Sequence, residues 1–352
     1  MKAALFDDTL KYYNALLNDI EKAHQFIFME FYRFGNDAVG SRFRDALTRK
    51  AHEGVTVKLL LDSWGTKGRE AFFAPLTEAG GEVRFHEKLR FSPDFFTRNH
   101  RRNHRKITII DDKISYIGSS NLTDYNIVWR ELILRLNGPI ALTFKKIFLQ
   151  MYELASGYLK VPSEMKIPLT FHGLEIIRDI PSITFQPVKK RMIKLIRNAR
   201  KNVVVETPYF LPSFLVRKAL INAVRRGVDV NIIIPRNSDV GMVDILRNRY
   251  LGPLHEKGIR FSLYTGPNLH AKLLMTDNNT FAIGSPNFDY RSFRFQHEIL
   301  MVGSENDITR LLLNHVSNTI IDTIPFDYEG WKNRNWFIRL REWLLIPLRH
   351  LL

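Results

Sequence analysis

His104-Arg105-Lys106-Ile107-Thr108-Ile109-Ile110-Asp111, running on to Gly118-Ser119-Ser120-Asn121, is the stretch from which the fold of this chain is read. It occurs twice. His270-Ala271-Lys272-Leu273-Leu274-Met275-Thr276-Asp277 runs on to Gly284-Ser285-Pro286-Asn287, each matching residue lying 166 positions further along. His, Lys, Asp, Gly, Ser and Asn agree in constant register without a gap, which chance does not supply. Such self-similarity means two copies of one structural unit.

The repeat extends outward from the motif. Ala46-Leu47 and Gly54-Val55 match Ala219-Leu220 and Gly227-Val228 at an offset of 173. The apolar runs 56–61 and 229–234 read as buried strands, and 26–31 and 202–206 as earlier strands, each with a glutamate, Glu30 and Glu206. Ala79-Gly80 and Lys257-Gly258 close a second helix in each copy. The alternation predicts an α/β fold of two pseudo-twofold-related sandwich halves, each a mixed β-sheet flanked by helices. The expected divisions are 1–165, 166–325 and a tail, 326–352. Gly80 to His104 spans 24 residues but Gly258 to His270 only 12, so the first copy carries an insertion at about 89–100. That loop mixes Arg with Phe91, Phe95 and Phe96. An insertion beside a motif suggests a substrate-facing loop, against the plainer alternative of a solvated basic one.

Composition narrows the function classes. The 352 residues are 45% hydrophobic and 25% charged, ordinary globular values. No cysteine is present, which excludes disulfides, thiolate metal sites and a cysteine nucleophile. The opening MKAALFDDTLKYYN, broken by two Asp, does not read as a signal peptide, and no apolar run is long enough to span a bilayer. A net charge of +16 attracts polyanions, nucleic acid or anionic membrane alike.

The motif chemistry is more selective. In a strand, alternate residues share a face, so His-x-Lys would place imidazole beside ammonium. Packed about a pseudo-twofold axis, two such motifs would bring His104, Lys106, Ser119 and Asn121 together with His270, Lys272, Ser285 and Asn287. That cationic, donor-rich pocket suits a phosphodiester gaining charge on its oxygens. Two histidines allow divided labour, a neutral one attacking phosphorus and a protonated one serving the leaving alkoxide. Glu131 and Glu298, 27 and 28 residues after their histidines, are the candidates for orienting them. A metal is not expected, because each lysine would repel it and no ligand-spaced cluster exists. Asp111 and Asp277 end their strands before a turn, and either catalysis or bracing would suit them.

In these residues the chain resembles the phospholipase D superfamily, whose duplicated His-x-Lys-x4-Asp-x6-Gly-Ser-x-Asn signature is matched in both copies. Within it the bacterial cardiolipin synthase group is similar at Glu30-Phe31-Tyr32-Arg33, Trp129-Arg130-Glu131, Thr207-Pro208-Tyr209-Phe210 and Asn287-Phe288-Asp289-Tyr290-Arg291-Ser292. The resemblance implies a phosphohistidine intermediate, no metal and no cofactor. It places the nucleophile on His104 and the acid/base on His270, though pseudo-symmetry permits the reverse. It also implies that Lys106, Lys272, Asn121 and Asn287 hold the phosphate with Ser119 and Ser285 nearby, and that Glu298 or Glu131 contacts the histidine of the opposite half. For that group the reaction joins two phosphatidylglycerol molecules into cardiolipin and glycerol. Hydrolytic phospholipase D and a nuclease of the same superfamily remain alternatives, and a non-catalytic scaffold is a third.

The tail reads FDYEGWKNRNWFIRLREWLLIPLRHLL from Phe326. Trp336, Ile338, Leu340, Trp343 and Leu348 interleave with Arg334, Arg341 and Arg349, the composition of a segment lying in a membrane interface. A helix packed on the core or on a partner is the competing reading. Expected partners are anionic phospholipids, with peripheral attachment to the cytoplasmic face of the cell membrane and no obligatory nucleic acid.

Overall fold

A computed structural model describes residues 1–67, 70–86, 100–155 and 163–350. The first sheet is built from β1 (Lys2–Asp8), β2 (Phe26–Phe31), β3 (Thr56–Asp62), β4 (Glu82–His86), β6 (Ile107–Ile110), β7 (Ile114–Gly118) and β8 (Arg130–Asn137), β5 (Arg102–Asn103) lying outside it. Its order is β1-β8-β7-β6-β2-β3-β4. The second sheet holds β9 (Leu169–Phe171), β10 (Leu174–Asp179), β11 (Asn202–Glu206), β12 (Asp229–Pro235), β13 (Arg260–Tyr264), β14 (Leu273–Thr276), β15 (Thr280–Gly284), β16 (Gln296–Gly303) and β17 (Thr323–Pro325). Its central order, β10-β16-β15-β14-β11-β12-β13, repeats the first strand for strand. In both, three strands run parallel (β2-β3-β4, β11-β12-β13) and the others pair antiparallel. This is the pair of mixed-sheet halves that the repeat predicts.

Central strands such as β2, β6 and β16 are buried on both faces. In β2, Phe26 and Phe28 point into a core shared by both halves, while Ile27, Met29 and Phe31 point to an outer layer. Helices Thr9–Glu21 and Ala38–His52 cover that outer face. The shared core is filled by helix Ile140–Leu154, whose Ile140, Phe144, Ile147, Phe148 and Met151 recur at helical spacing, and by Ile308, Leu312 and Val316 of helix Asn306–Ile321. Burying a side chain of this size contributes about 1.5–3 kcal/mol, so the halves are joined by a true hydrophobic core.

The join also has a polar tie. His315, fully buried, lies between Asp7 of β1 (3.0 Å) and Glu206 of β11 (2.9 Å). Arg130 completes it, donating to Asp7 (2.9 Å) and to Thr319 Oγ1 (2.8 Å). Burial opposes charge on His315, but the two carboxylates outweigh it and raise its pKa to about 9. A raised histidine stabilises the fold fully below its unfolded pKa of about 6.5, and that contribution disappears as pH rises through about 9. The His315 contribution to stability is therefore expected to fall by on the order of 3 kcal/mol between pH 6.5 and 9.5. His315→Gln, which keeps hydrogen bonding without titrating, should flatten that slope in denaturant titrations. An unchanged slope would show that the tie does not carry it.

The tail folds onto the second half. In helix Trp336–Leu344, Glu342 is buried and accepts from Asn248 (2.9 Å) and Arg334 (2.9 Å). Trp336 and Trp343 point outward, each 61% exposed. Phe91, Phe95 and Phe96 lie outside the described residues.

Candidate functional site

The two motif strands meet across the join in a reciprocal register. His104 N–H donates to the carbonyl of His297 (3.0 Å), and His270 N–H donates to the carbonyl of Arg130 (2.8 Å). The residue after each of those carbonyls is a glutamate. Glu298 therefore reaches Nδ1 of His104 at 3.0 Å, and Glu131 reaches Nδ1 of His270 at 2.9 Å. Each half supplies the acid that orients the other half's imidazole. The strands themselves start at Ile107 and Leu273, so the His-x-Lys triplets lead into the strand and do not form part of it, unlike the sequence expectation.

The serines differ from expectation in what they hold. Ser119 Oγ donates to Glu131 (2.5 Å) and accepts from Leu132 N–H (2.8 Å). Ser285 Oγ donates to Glu298 and accepts from Ile299 N–H (3.0 Å). Both hydroxyls are buried and turned to a carboxylate. The preceding glycines have a steric reason: a Cβ on Gly118 would lie 2.3 Å from the Leu132 carbonyl, and one on Gly284 2.1 Å from that of Ile299. The motif Gly-Ser thus lets the adjacent strand approach and then fixes its glutamate.

Asp111 and Asp277 lie at the opposite end of the motif strand, roughly 20 Å from the histidines at about 3.3 Å per residue. Each occupies a left-handed turn position (φ 53° and 57°). Asp111 accepts from the N–H groups of His24 (2.7 Å), Gln25 (2.8 Å) and Phe26 (3.0 Å), and Asp277 from Arg200 (2.9 Å) and Lys201 (2.7 Å). These hydrogen bonds are those of braces between strands, one of the two roles that the sequence allows.

The histidines open onto one cavity of about 230 Å³, also lined by Asn121, Asn287, Tyr32, Trp129 and Tyr209. His104 is 7% exposed and His270 5%, so this cavity is their access. An aromatic edge rests on each ring, Tyr32 on His104 (5.3 Å) and Trp129 on His270 (5.2 Å). Asn121 Oδ1 accepts from Arg33 N–H (3.2 Å), which leaves its amide N–H groups for a ligand. Lys106 and Lys272 are buried beneath, each bonding the carbonyl of its own histidine (2.6 and 2.7 Å). Burial brings Lys106 down to about 7, helped by the charge of Lys272, and brings Lys272 to about 8. An arriving phosphate would restore their full charge.

The pseudo-twofold is broken electrically. Burial drives the His104 pKa well below its ordinary value, and Lys106, Lys272, His270 and Arg291 push the same way. Its partner Glu298 is raised by burial to about 8. Burial also lowers His270, but the Glu131 charge opposes this. Burial raises Glu131 in turn, yet the His270 charge, the His270 hydrogen bond, Lys272 and Ser119 outweigh it and hold it below the usual range. One pair is thus a neutral imidazole beside a carboxylic acid; the other is an imidazole beside a carboxylate. That is the division needed for a nucleophile and a proton donor.

Among the described residues no cluster of His, Asp and Glu is arranged to hold a metal ion. The cavity brings together residues to which the sequence reading gave no role. Tyr32, Arg33, Trp129, Tyr209 and Arg291 belong to stretches that carried the family resemblance. Asp239, held at the rim by Tyr209 Oη (2.7 Å), lies in an irregular connection with no pattern to mark it.

Comparison with known proteins matches the chain to the family described as "Cardiolipin synthase, PLD-like domain", over residues 16–152 and 192–320. A cardiolipin synthase of Listeria welshimeri is 32% identical, the match covering 96% of this chain and 73% of the relative. Major cardiolipin synthase ClsA of Bacillus subtilis is 33% identical over 94% of this chain and 71% of its own. Among solved structures, phosphatidylserine synthase from Haemophilus influenzae Rd KW20 superposes with a TM-score of 0.79 at 12% identity, covering 99% of this chain and 95% of that one. Polyphosphate kinase from Porphyromonas gingivalis gives 0.64 at 13% identity, covering 93% and 49%. At those identities the two structures share the fold alone.

Proposed function

Because the chain belongs to the phospholipase D superfamily, in the family of the cardiolipin synthase PLD-like domain, we propose that it is a phosphatidyltransferase converting two phosphatidylglycerol molecules into cardiolipin and glycerol. The observation that carries the mechanism is the pair of crossed His–Glu contacts around one cavity. Neutral His104 attacks the phosphorus of the first lipid, while His270 gives its proton to the departing glycerol. The P–O bond to glycerol breaks as the P–N bond to His104 forms. The hydroxyl of the second lipid then gives its proton to His270 and displaces His104. One phosphodiester is exchanged for another, so no nucleotide is consumed. Lys106, Lys272, Asn121 and Asn287 supply the charge and donors that hold the phosphate oxygens.

No helix among the described residues is long and apolar enough to cross a membrane. The lipid is met at the bilayer surface, where the outward Trp336 and Trp343 with Phe337 and Leu344 present an apolar face beside basic side chains. The cytoplasmic leaflet, rich in anionic lipid, suits the +16 charge.

The test is incubation of the protein with phosphatidylglycerol vesicles, followed by product analysis and sedimentation. Cardiolipin with an equal amount of glycerol is the expected outcome. Phosphatidic acid alone would replace transfer by hydrolysis, and cleavage of DNA with no lipid turnover would replace both by a nuclease. The same vesicles should retain Trp336→Ser/Trp343→Ser protein about tenfold less than wild type, from the apolar area lost; equal retention would remove the tail from the docking surface.

A further inference from the structure

The cavity holds more positive charge than one phosphate requires. Beyond the two asparagines, Arg33 and Arg291 line it, both half-buried. Arg33 donates through Nε to the Gly65 carbonyl (3.3 Å), and Arg291 lies over the ring of neighbouring Trp64 (5.9 Å). Both are thus anchored at the turn that follows β3. Among the described residues neither forms an ion pair, and Nε of Arg291 is buried without a hydrogen-bond partner. Asp289 also lines the cavity and feels the charge of Arg291 without an ion-pair contact, its Oδ1 accepting from Ser292 N–H (2.7 Å). The carboxylate Asp239, held by Tyr209, also lines the cavity. Two guanidiniums that form no ion pair among the described residues face this cavity beside the proposed phosphate cradle, a placement that suits a second anion.

We propose that Arg33 and Arg291 form a second phosphate subsite, which takes the phosphate carried by the acceptor alcohol. This rests on the transfer reading and deepens it. During the first step only one phosphodiester occupies the cavity. During the second, a lipid acceptor brings another, attached to the same glycerol whose hydroxyl attacks phosphorus. The P–N bond to His104 breaks, the new P–O bond forms and the hydroxyl proton passes to His270; no co-reactant is needed. Holding the acceptor by its phosphate favours an anionic lipid over water or free glycerol, neither of which can use the two guanidiniums.

The experiment supplies wild-type protein and variants with phosphatidylglycerol vesicles plus labelled glycerol, and in a parallel arm labelled glycerol 3-phosphate. Cardiolipin reports an acceptor carrying a lipid phosphodiester, labelled phosphatidylglycerol one with no phosphate, and labelled phosphatidylglycerol phosphate one with a free phosphate. Arg33→Gln/Arg291→Gln should lower the ratio of cardiolipin to labelled phosphatidylglycerol by about tenfold, the scale of a lost charge-assisted contact. Loss confined to cardiolipin assigns the subsite to the lipid diester; a matching loss with glycerol 3-phosphate extends it to free phosphate. Arg33→Lys and Arg291→Lys, which keep the charge, should recover part of the ratio, and each single Gln variant should show an intermediate one. An unchanged ratio, or equal loss of every product, overturns the subsite. Wild-type protein that makes no transfer product overturns the transfer reading, and the subsite with it.

Discussion

His104→Ala is expected to abolish cardiolipin formation, and His270→Ala to lower it by at least about 10³-fold, combining the contributions of a nucleophile and of a general acid–base. The two losses should differ in kind. A lipid whose leaving group is p-nitrophenolate needs no proton to depart. With that substrate His270→Ala should regain release of nitrophenol, because His104 can still attack, while His104→Ala should stay inactive. Trapped phosphoenzyme should be labelled at His104 in the His270→Ala protein. Rescue of His104→Ala instead would reverse the assignment, and substantial cardiolipin formation by either variant would refute the two-histidine mechanism. The order rests on the environment of the rings. His104 is surrounded by Lys106, Lys272 and Arg291 and is kept neutral, whereas His270 faces the ionised Glu131.

Glu131→Gln should lower turnover by about 10²–10³-fold, while Glu298→Gln should lower it less than about tenfold. The asymmetry follows from the charge each carboxyl bears. Glu131 is held ionised and stabilises His270 when that ring carries its proton. A glutamine can orient the ring but cannot supply the charge. Glu298, raised to about 8 by burial, already carries a proton at neutral pH, so an amide of the same shape is a close substitute. Above about pH 8 the carboxyl ionises, and only there should wild type and Glu298→Gln diverge further. Equal losses in both variants at pH 7 would show that the pairs are electrically alike. kcat should carry the effect in Glu131→Gln, since neither carboxylate touches the lipid.

Much of this was legible in the sequence because duplication removes ambiguity. The runs 26–31 and 202–206 read as strands singly, and each confirms the other. That Glu131 or Glu298 reaches the opposite half's histidine followed from the family resemblance, but not that both do, nor the cause, which is the backbone register between halves. Side-chain direction was the part that stayed hidden. Ser119 sits within a motif that invites a phosphate-binding role, yet the pairing of β7 with β8 turns its hydroxyl to Glu131. Asp111 shares the motif with His104 but is separated from it by the length of a strand. The tie of Asp7 to His315 joins residues 308 positions apart, beyond any local pattern. Arg33 and Arg291 fall in stretches that carried the resemblance, while their freedom from ion pairs among the described residues is a property of three-dimensional packing alone.

The crossed His–Glu contacts have a consequence for the newborn chain. His104 and Glu298 are 194 residues apart. At about 5–20 residues per second, roughly 10 to 40 seconds separate their synthesis. During that interval His104 lacks the carboxyl that contacts its ring, and the first half lacks the second half's share of the common core. On the proposed mechanism, a ribosome-bound fragment near a bilayer is expected to hold no competent site, and a message broken between the repeats to yield an inert product. Translation of the second repeat acts as the timer that arms the enzyme.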